Sequence, residues 1–492
     1  MHQNNRFVYQ VTHKNKHMAS ADNGYYKLSW GERIGFNSGE LAQNLIYQTV
    51  SIWLLFYYNN VFGLDAGVVA VMFLVVRIID VLWDPMVGAF VDKSHLPWGK
   101  YRSWLLIGGL PLATFAMLCF WNGFSGSLLY AYVTYVGMSM CFTLINVPYG
   151  ALSASLTRDT NEITILTSVR MLMANTAGLI IKTLPLVVAL FAPKVLNEKT
   201  GEMEAVYNTP EAGGAWFITM SIFALTGLVL LVVTFFSSKE RIVMDRSESA
   251  NVKVSDLWME LVRNRPLRVL ALFFIIAFTT MSISNAADSY FMTYNMGATP
   301  MMTTTFMWLG TIPAFIFLPM VPAIKRRIGK NGMFRLFLGI SIVAMLVMYL
   351  FVSLPSLKNY FPLLCVVQFV KSTGVLVATG YMWALTPEVV TYSEYASGRR
   401  VAGIVNALIC IFMKAGMALG GVIPGLVLAW VGFKAGASEQ TPLAEQGILW
   451  LVTLIPAALF VIAIFVIGKY ELTDEKMDEI NAAITMKGKR EE

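Results

Sequence analysis

Residues 66–91 read AGVVAVMFLVVRIIDVLWDPMVGAFV, and this stretch decides the fold class. It is apolar throughout except for Arg77, Asp80 and Asp84. A hydrocarbon core of roughly 30 Å needs about 20 helical residues to cross it, and the run is longer than that. Within a single span only a helix satisfies its own backbone polar groups, so the stretch is predicted to cross a membrane as a helix. Positions 77, 80 and 84 are three and four apart and share one helix face. Two carboxylates one turn apart repel unless a cation or a proton stands between them, and Arg77 offsets part of that repulsion. The trio is either a coupling site for a proton or a metal cation, or an ion-pair knot that fixes helix packing. An ionisable residue costs about 2.5–3.5 kcal/mol at the bilayer centre on insertion scales, which argues for use.

Comparable apolar runs occur on both sides. With 66–91 they lie near 36–58, 103–122, 127–150, 168–191 and 215–237, then near 267–293, 301–324, 333–354, 359–385, 402–432 and 446–468. The Pro- and Gly-rich runs 359–385 and 402–432 are candidates for broken helices. The chain is 56% hydrophobic and 14% charged, with a mean hydropathy of +0.60; a soluble domain carries about 25% charged residues. The expected fold is an all-α membrane protein of twelve helices in two six-helix bundles. Its parts are a tail at 1–32, a first bundle at 33–237, a connector at 238–266, a second bundle at 267–468 and a second tail at 469–492. In the connector, Val254, Leu257, Trp258, Leu261 and Val262 recur at helical spacing, which predicts an amphipathic helix.

The net charge of +7 reads through its location. Lys and Arg crowd into alternate loops, while the opposite loops hold only Lys194, Lys199, Lys358 and Lys434. The positive-inside rule then puts both termini and the connector in the cytoplasm and removes any need for a nucleic-acid partner. Cys119, Cys141, Cys365 and Cys410 lie in apolar spans without paired spacing and read as small buried hydrophobes. None of the four histidines, His2, His13, His17 and His95, falls in a span. Residues 1–32 have no apolar core of a signal peptide. No Walker A, HExxH or GxSxG motif occurs, so neither ATP coupling nor an enzyme activity is expected, and no cofactor.

Other polar residues inside spans are candidates for handling a ligand. Glu40 is either a ligand-facing carboxylate or one that reaches water near a helix end. Asn146, two residues before Pro148, either offers its amide to a ligand or patches backbone freed by the proline. Arg170 and Lys414 are cations in apolar surroundings and each needs a partner. Tyr149 and Trp383 are the rings placed to stack against a sugar. Lys182 and Lys371 either snorkel to an interface or lean the substrate towards an anionic sugar.

These residues resemble the glycoside–pentoside–hexuronide:cation symporter family of the major facilitator superfamily. The likeness runs from Lys27-Leu28-Ser29-Trp30-Gly31 to about Gly421. Its most specific part is Arg77 to Gly88, with Asp92 and Trp98-Gly99-Lys100-Tyr101-Arg102 after it. A second match is Asn146 to Leu152 with Arg158-Asp159; weaker ones are Pro387 to Tyr395, Gly398-Arg399-Arg400 and Lys414-Ala415-Gly416. The resemblance implies a major facilitator fold and import of a glycoside, pentoside or hexuronide with Na+ or H+. It implies that Asp80 and Asp84 hold the coupling cation, Na+ in a sodium-coupled case, with Asn146 beside them. It implies sugar contacts at Glu40, Asn146 and Arg170, and a place for Lys414 between the two sites. Asp92, Lys100, Arg102 and Arg158 would latch the outward-open state. Asn146 stands where the family's archetype has Asp, which puts sodium use in question; Gly150 and Thr379 stand where it has Trp, which puts galactoside recognition in question. The rival expectation is a lysolipid carrier or proton-driven exporter of the same superfamily. The expected partners are a sugar, a monovalent cation and membrane lipid, around a monomer in a bacterial inner membrane.

Overall fold

The computed structural model describes residues 26–94, 96–157, 159–196, 203–241, 254–354, 360–397, 402–437 and 440–491. Lys199, Arg158, Lys358, His95 and Gly398-Arg399-Arg400 lie outside them, as does the side chain of Asp92.

The first helix, α1 (Trp30–Asn60), begins at a capping box. Ser29 Oγ accepts from the Glu32 amide, and Glu32 reaches back to the Ser29 amide at 3.1 Å. Asp65 caps α2 (Ala66–Lys93), accepting from the Gly67 amide at 2.8 Å. Then follow α3 (Ser103–Cys119), α4 (Leu128–Leu156), α5 (Thr160–Ile181), α6 (Leu184–Phe191) and α7 (Gly213–Ser237). A two-stranded antiparallel hairpin, β1 (Lys194–Leu196) with β2 (Met203–Ala205), adds a sheet element that the all-α expectation lacked. The second half comprises α8 (Val254–Arg263), α9 (Arg265–Tyr290), α10 (Pro300–Leu309), α11 (Ile312–Phe317), α12 (Val321–Ser353) and α13 (Phe361–Met382). It ends with α14 (Thr386–Ser397), α15 (Ala402–Trp430), α16 (Pro442–Val452), α17 (Leu454–Ile467) and α18 (Asp474–Glu491).

Among the described residues nine helical stretches are long and apolar enough to cross a membrane, and α3 is a shorter apolar helix. One of the nine, Pro300–Ser353, is 54 residues long; it turns at Gly329, whose φ of +70° suits glycine. The predicted spans near 168–191, 301–324 and 446–468 are interrupted between α5 and α6, α10 and α11, and α16 and α17. Pro185, Pro313 and Pro456 sit at or near each restart, where a residue without an N–H is tolerated. The stretch near 359–385 runs on to Ser397 through a tight turn at Trp383–Leu385, whereas α15 continues past Pro424.

Small residues allow the close approaches. A Cβ on Gly416 or Gly420 of α15 would fall 2.6 Å from the carbonyls of Ile275 or Thr279 on α9, so the two helices meet nearly backbone to backbone. On the same helix a Cβ on Gly425 would meet the Ala66 carbonyl of α2 at 2.7 Å, one of the contacts joining the two halves. The halves are tied at the end where α1 finishes. Asn59 donates to Tyr290 at 2.7 Å, Tyr294 bonds Asn60, and Trp308 donates to the Leu179 carbonyl at 3.1 Å. At the opposite end the ion pairs bind each half to itself: Arg33–Glu162 and Arg241–Glu32 in the first, Lys330–Glu388 and Lys325–Asp474 in the second. In the connector, Leu257 and Leu261 of α8 pack on the second half's core while Trp258 and Val262 stay exposed. Leu129, Val229, Phe236, Leu350 and Phe465 are likewise exposed, an apolar surface suited to lipid.

Candidate functional site

Helix α2 carries Arg77, Asp80 and Asp84 on one face, and α4 runs beside it in the same direction. An equal offset of 59 residues therefore sets a hydroxyl against each carboxylate. Ser139 Oγ donates to Asp80 Oδ1 at 2.5 Å, and Thr143 Oγ1 donates to Asp84 Oδ1 at 3.1 Å. Arg77 Nη1 lies 3.2 Å from Asp80 Oδ2, its guanidinium 5.4 Å from the Tyr47 ring centre. Lys414 of α15 forms an ion pair with Asp84 Oδ2 from the other half of the molecule. Each carboxylate of the pair thus has its own cation and accepts a hydrogen bond from its own hydroxyl.

Helix α1 supplies a polar ladder at four-residue spacing. Asn44 Nδ2 donates to Glu40 Oε1 at 2.9 Å, and Gln48 Nε2 donates to Asn44 Oδ1 at 2.7 Å. Arg170 of α5 closes the ladder's base, its Nε donating to Glu40 Oε2 at 2.6 Å. Glu40, Asn44, Tyr47, Arg77, Asp80, Asp84, Asn146 and Lys414 all line one cavity of about 420 Å³, within the usual range for small-molecule sites. A second cavity of about 350 Å³ adjoins it, sharing Asn44, Tyr47 and Met417 and running on to Lys182, Asp288 and Lys371.

Six of the residues singled out from sequence therefore meet in one cavity: Glu40, Arg77, Asp80, Asp84, Asn146 and Lys414. Arg170 joins them through Glu40. Two aromatic expectations need correction. Tyr149 is fully buried: its ring stacks on Phe36 at 4.8 Å, its hydroxyl donates to the Phe36 carbonyl at 3.1 Å, and the Arg170 guanidinium sits 5.4 Å from it. Enclosed in this way it supports Arg170 and offers no face to a sugar. Trp383 falls in the tight turn after α13, packs edge-on against Phe274 at 4.9 Å, and lines neither cavity.

The loop after α2 is fastened to the start of the connector. The amides of Lys100, Tyr101 and Arg102 donate to the Glu240 carboxylate at 2.9, 2.8 and 2.7 Å. Arg102 also donates to the Ser238 carbonyl at 3.2 Å and lies over Phe235. Lys100 and Arg102 are thus built into the first half.

Sequence reasoning passed over Ser139, Thr143, Asn44, Glu240 and Asp288. Two of these had a signal: Asp288 is the one acidic residue in 267–293, and Glu40, Asn44 and Gln48 repeat at helical spacing. The hydroxyls had none, because their partners lie 59 residues away. Among the described residues no group of three or more His, Cys, Asp or Glu could hold a metal ion. Any cation here meets two carboxylates and neutral oxygens, in competition with Lys414 and Arg77.

Comparison with known proteins identifies the family. The family model described as MFS/sugar transport protein matches residues 35–474. The chain is 42% identical over 457 residues to an uncharacterized symporter of Bacillus subtilis (strain 168), covering 92% of this chain and 93% of that one. It is 30% identical to a glucuronide carrier protein homolog of Escherichia coli (strain K12), over 92% of this chain and 95% of that one. Among solved structures a D-xylose-proton symporter superposes with a TM-score of 0.61 at 13% identity, covering 90% of this chain and 97% of that one. The chain belongs to the MFS/sugar transport protein family, the glycoside–pentoside–hexuronide:cation symporters of the major facilitator superfamily.

Proposed function

We propose that the protein is a secondary active symporter that imports a glycoside, pentoside or hexuronide together with Na+ or H+ by alternating access. The observation that carries this reading is the Lys414–Asp84 ion pair, which bridges the two halves beside a cavity lined by Glu40, itself paired with Arg170. Removing one partner of this half-buried ion pair would leave the other charge uncompensated. Exchanging one cation for another at Asp84 avoids that. A sodium ion or proton arriving at Asp84 takes over its charge, frees Lys414, and loosens the tie between α2 and α15. Sugar hydroxyls then bond Glu40, Asn146 and Arg170, and the two six-helix bundles, twelve crossings in all, rock around the filled site.

Relatives with sugar substrates in their names support the substrate class: the glucuronide carrier homolog and an isoprimeverose transporter of Lactiplantibacillus pentosus, the latter 29% identical over 84% of this chain. The positive-inside rule places the self-tied, charged end in the cytoplasm, in a bacterial plasma membrane. The conformation is then inward-facing, with the outer end sealed by Asn59–Tyr290 and its neighbours. Lys100, Arg102, Asp92 and Arg158 would latch the inner end once it closes to give the outward-open state.

The test is uptake of labelled glycosides, pentosides and uronides into proteoliposomes under an imposed Na+ or pH gradient. Accumulation against the sugar gradient supports the reading, and the effective gradient names the ion. If no sugar accumulates under either gradient the reading falls, and lysolipid transfer and drug export become the functions to assay.

A further inference from the structure

The second cavity holds charges that the proposed cycle does not use. Asp288 comes from α9, Lys371 and Gln368 from α13, and Lys182 from the residue after α5. Lys182 Nζ donates to Thr311 Oγ1 at 2.5 Å and so belongs to the contacts that join the halves. Lys371 has no such partner. Its side chain is 4% exposed and its Nζ makes no hydrogen bond among the described residues. Its nearest carboxylate oxygen, Asp288 Oδ1, is 4.0 Å away and also without a hydrogen bond, and the Phe306 ring lies at 5.8 Å. Gln368 Oε1 is buried and unpartnered as well.

Two ammonium groups facing one carboxylate leave the pocket one positive charge in excess. A buried charge left unpaired is expensive, and an unmade hydrogen bond on a buried ammonium adds to the cost. The described residues offer no second anion here, so the pocket is complementary to one supplied from outside. The opening is at hand, because Asn44, Tyr47 and Met417 line this cavity and the first. A molecule lying against Glu40 and Asn44 can extend an acidic group towards Lys371. Asn175, Ser282, Asn285 and Ser372 line the way and can serve the neighbouring hydroxyls.

We propose that Lys371, with Lys182 and Asp288, forms an anion subsite that takes the carboxylate of an acidic sugar, so that the substrate is a uronide and not a neutral glycoside. This rests on the sugar-symport reading and adds the substrate class to it. The carboxylate bonds Lys371 and is shared with Lys182, which binds substrate to the contacts that seal the outer end. Asp288 holds the excess at a single charge and so limits the subsite to monovalent acids.

The test is equilibrium binding to the purified full-length protein in detergent, using methyl glucuronide against methyl glucoside and methyl galacturonide against methyl galactoside. The expected result is uronide affinity at least about tenfold above that of the matching neutral glycoside. K371Q should lower uronide affinity about tenfold more than it lowers glycoside affinity. D288N, which leaves both ammonium groups, should shift the preference the other way, further towards the uronide; a general packing defect would not produce opposite signs. Equal affinities for both classes, or D288N and K371Q moving the preference in the same direction, would overturn the subsite and leave sugar symport standing. Binding of neither class would overturn the sugar reading and the subsite with it.

Discussion

The two cavities differ in how their charges are satisfied. In the first, every carboxylate has a cation and a hydrogen-bond donor: Asp80 with Arg77 and Ser139, Asp84 with Lys414 and Thr143, Glu40 with Arg170 and Asn44. In the second, Lys371 and Asp288 stand 4.0 Å apart with polar atoms unused. A saturated site changes state only by exchange, one cation for another. An unsaturated site changes state by addition. The comparison teaches that ion coupling and substrate selection can be divided between neighbouring pockets that share Asn44, Tyr47 and Met417.

The sharpest way to break the first half of that comparison is to remove the exchangeable charge. Asp84→Cys should reduce gradient-driven sugar accumulation in proteoliposomes to background, and retained uphill uptake would sink the assignment. Deleting the competitor acts in the opposite sense. Lys414→Met should raise the apparent affinity for the coupling cation roughly tenfold, about 1.4 kcal/mol, read as the Na+ or pH dependence of sugar binding. A fall in cation affinity would mean that Lys414 only supports packing.

Smaller effects sharpen the picture. Glu40→Gln weakens the Arg170 pair and the Asn44 bond, so the half-saturating sugar concentration should rise about tenfold while cation affinity shifts much less. Ser139→Ala and Thr143→Ala each remove one hydrogen bond to a charged acceptor, a loss of roughly 1.5 kcal/mol. Each should shift cation affinity about tenfold with little change in sugar affinity at saturating cation.

The smallest effect is expected where neither cavity is touched. Asp474→Asn should alter sugar accumulation less than about twofold. Partial burial opposes the charge on Asp474, but Lys325 and Lys330 hold its carboxyl below the ordinary value of 3.8. Its contribution to docking α18 is therefore present above that ordinary value and lost only as the pH falls below it. Protease protection of residues 474–491 should accordingly be constant between about pH 5 and 8; a loss at mildly acidic pH would contradict the sign.

What could be read without coordinates came from short-range rules. Run length gave membrane helices near their observed places, since the number of residues needed to cross a bilayer is set by helical rise. The three- and four-residue spacing of Arg77, Asp80 and Asp84 placed them on one face, as local helical geometry requires. Glu40 and Asn146, which the resemblance assigns to sugar contact, both lie on the wall of the first cavity. The sequence also overreached, because aromaticity near a polar centre says nothing of rotation. Tyr149 turns into Phe36, and Trp383 lies beyond the cavities in a turn.

The tertiary structure alone decided which charges share a neighbour. Ser139 and Thr143 meet the carboxylates because α2 and α4 run parallel with a fixed offset, and Lys414 meets Asp84 because α15 crosses to the first half where Gly425 permits close approach. Lys182 and Lys371 could each have snorkelled to water; instead packing buried Lys371 and holds Lys182, half-buried, on the same cavity as Asp288. Helical periodicity acts over one or two turns, whereas electrostatic partnership inside a membrane protein depends on which distant helices are pressed together, and that follows from the packing of the whole bundle.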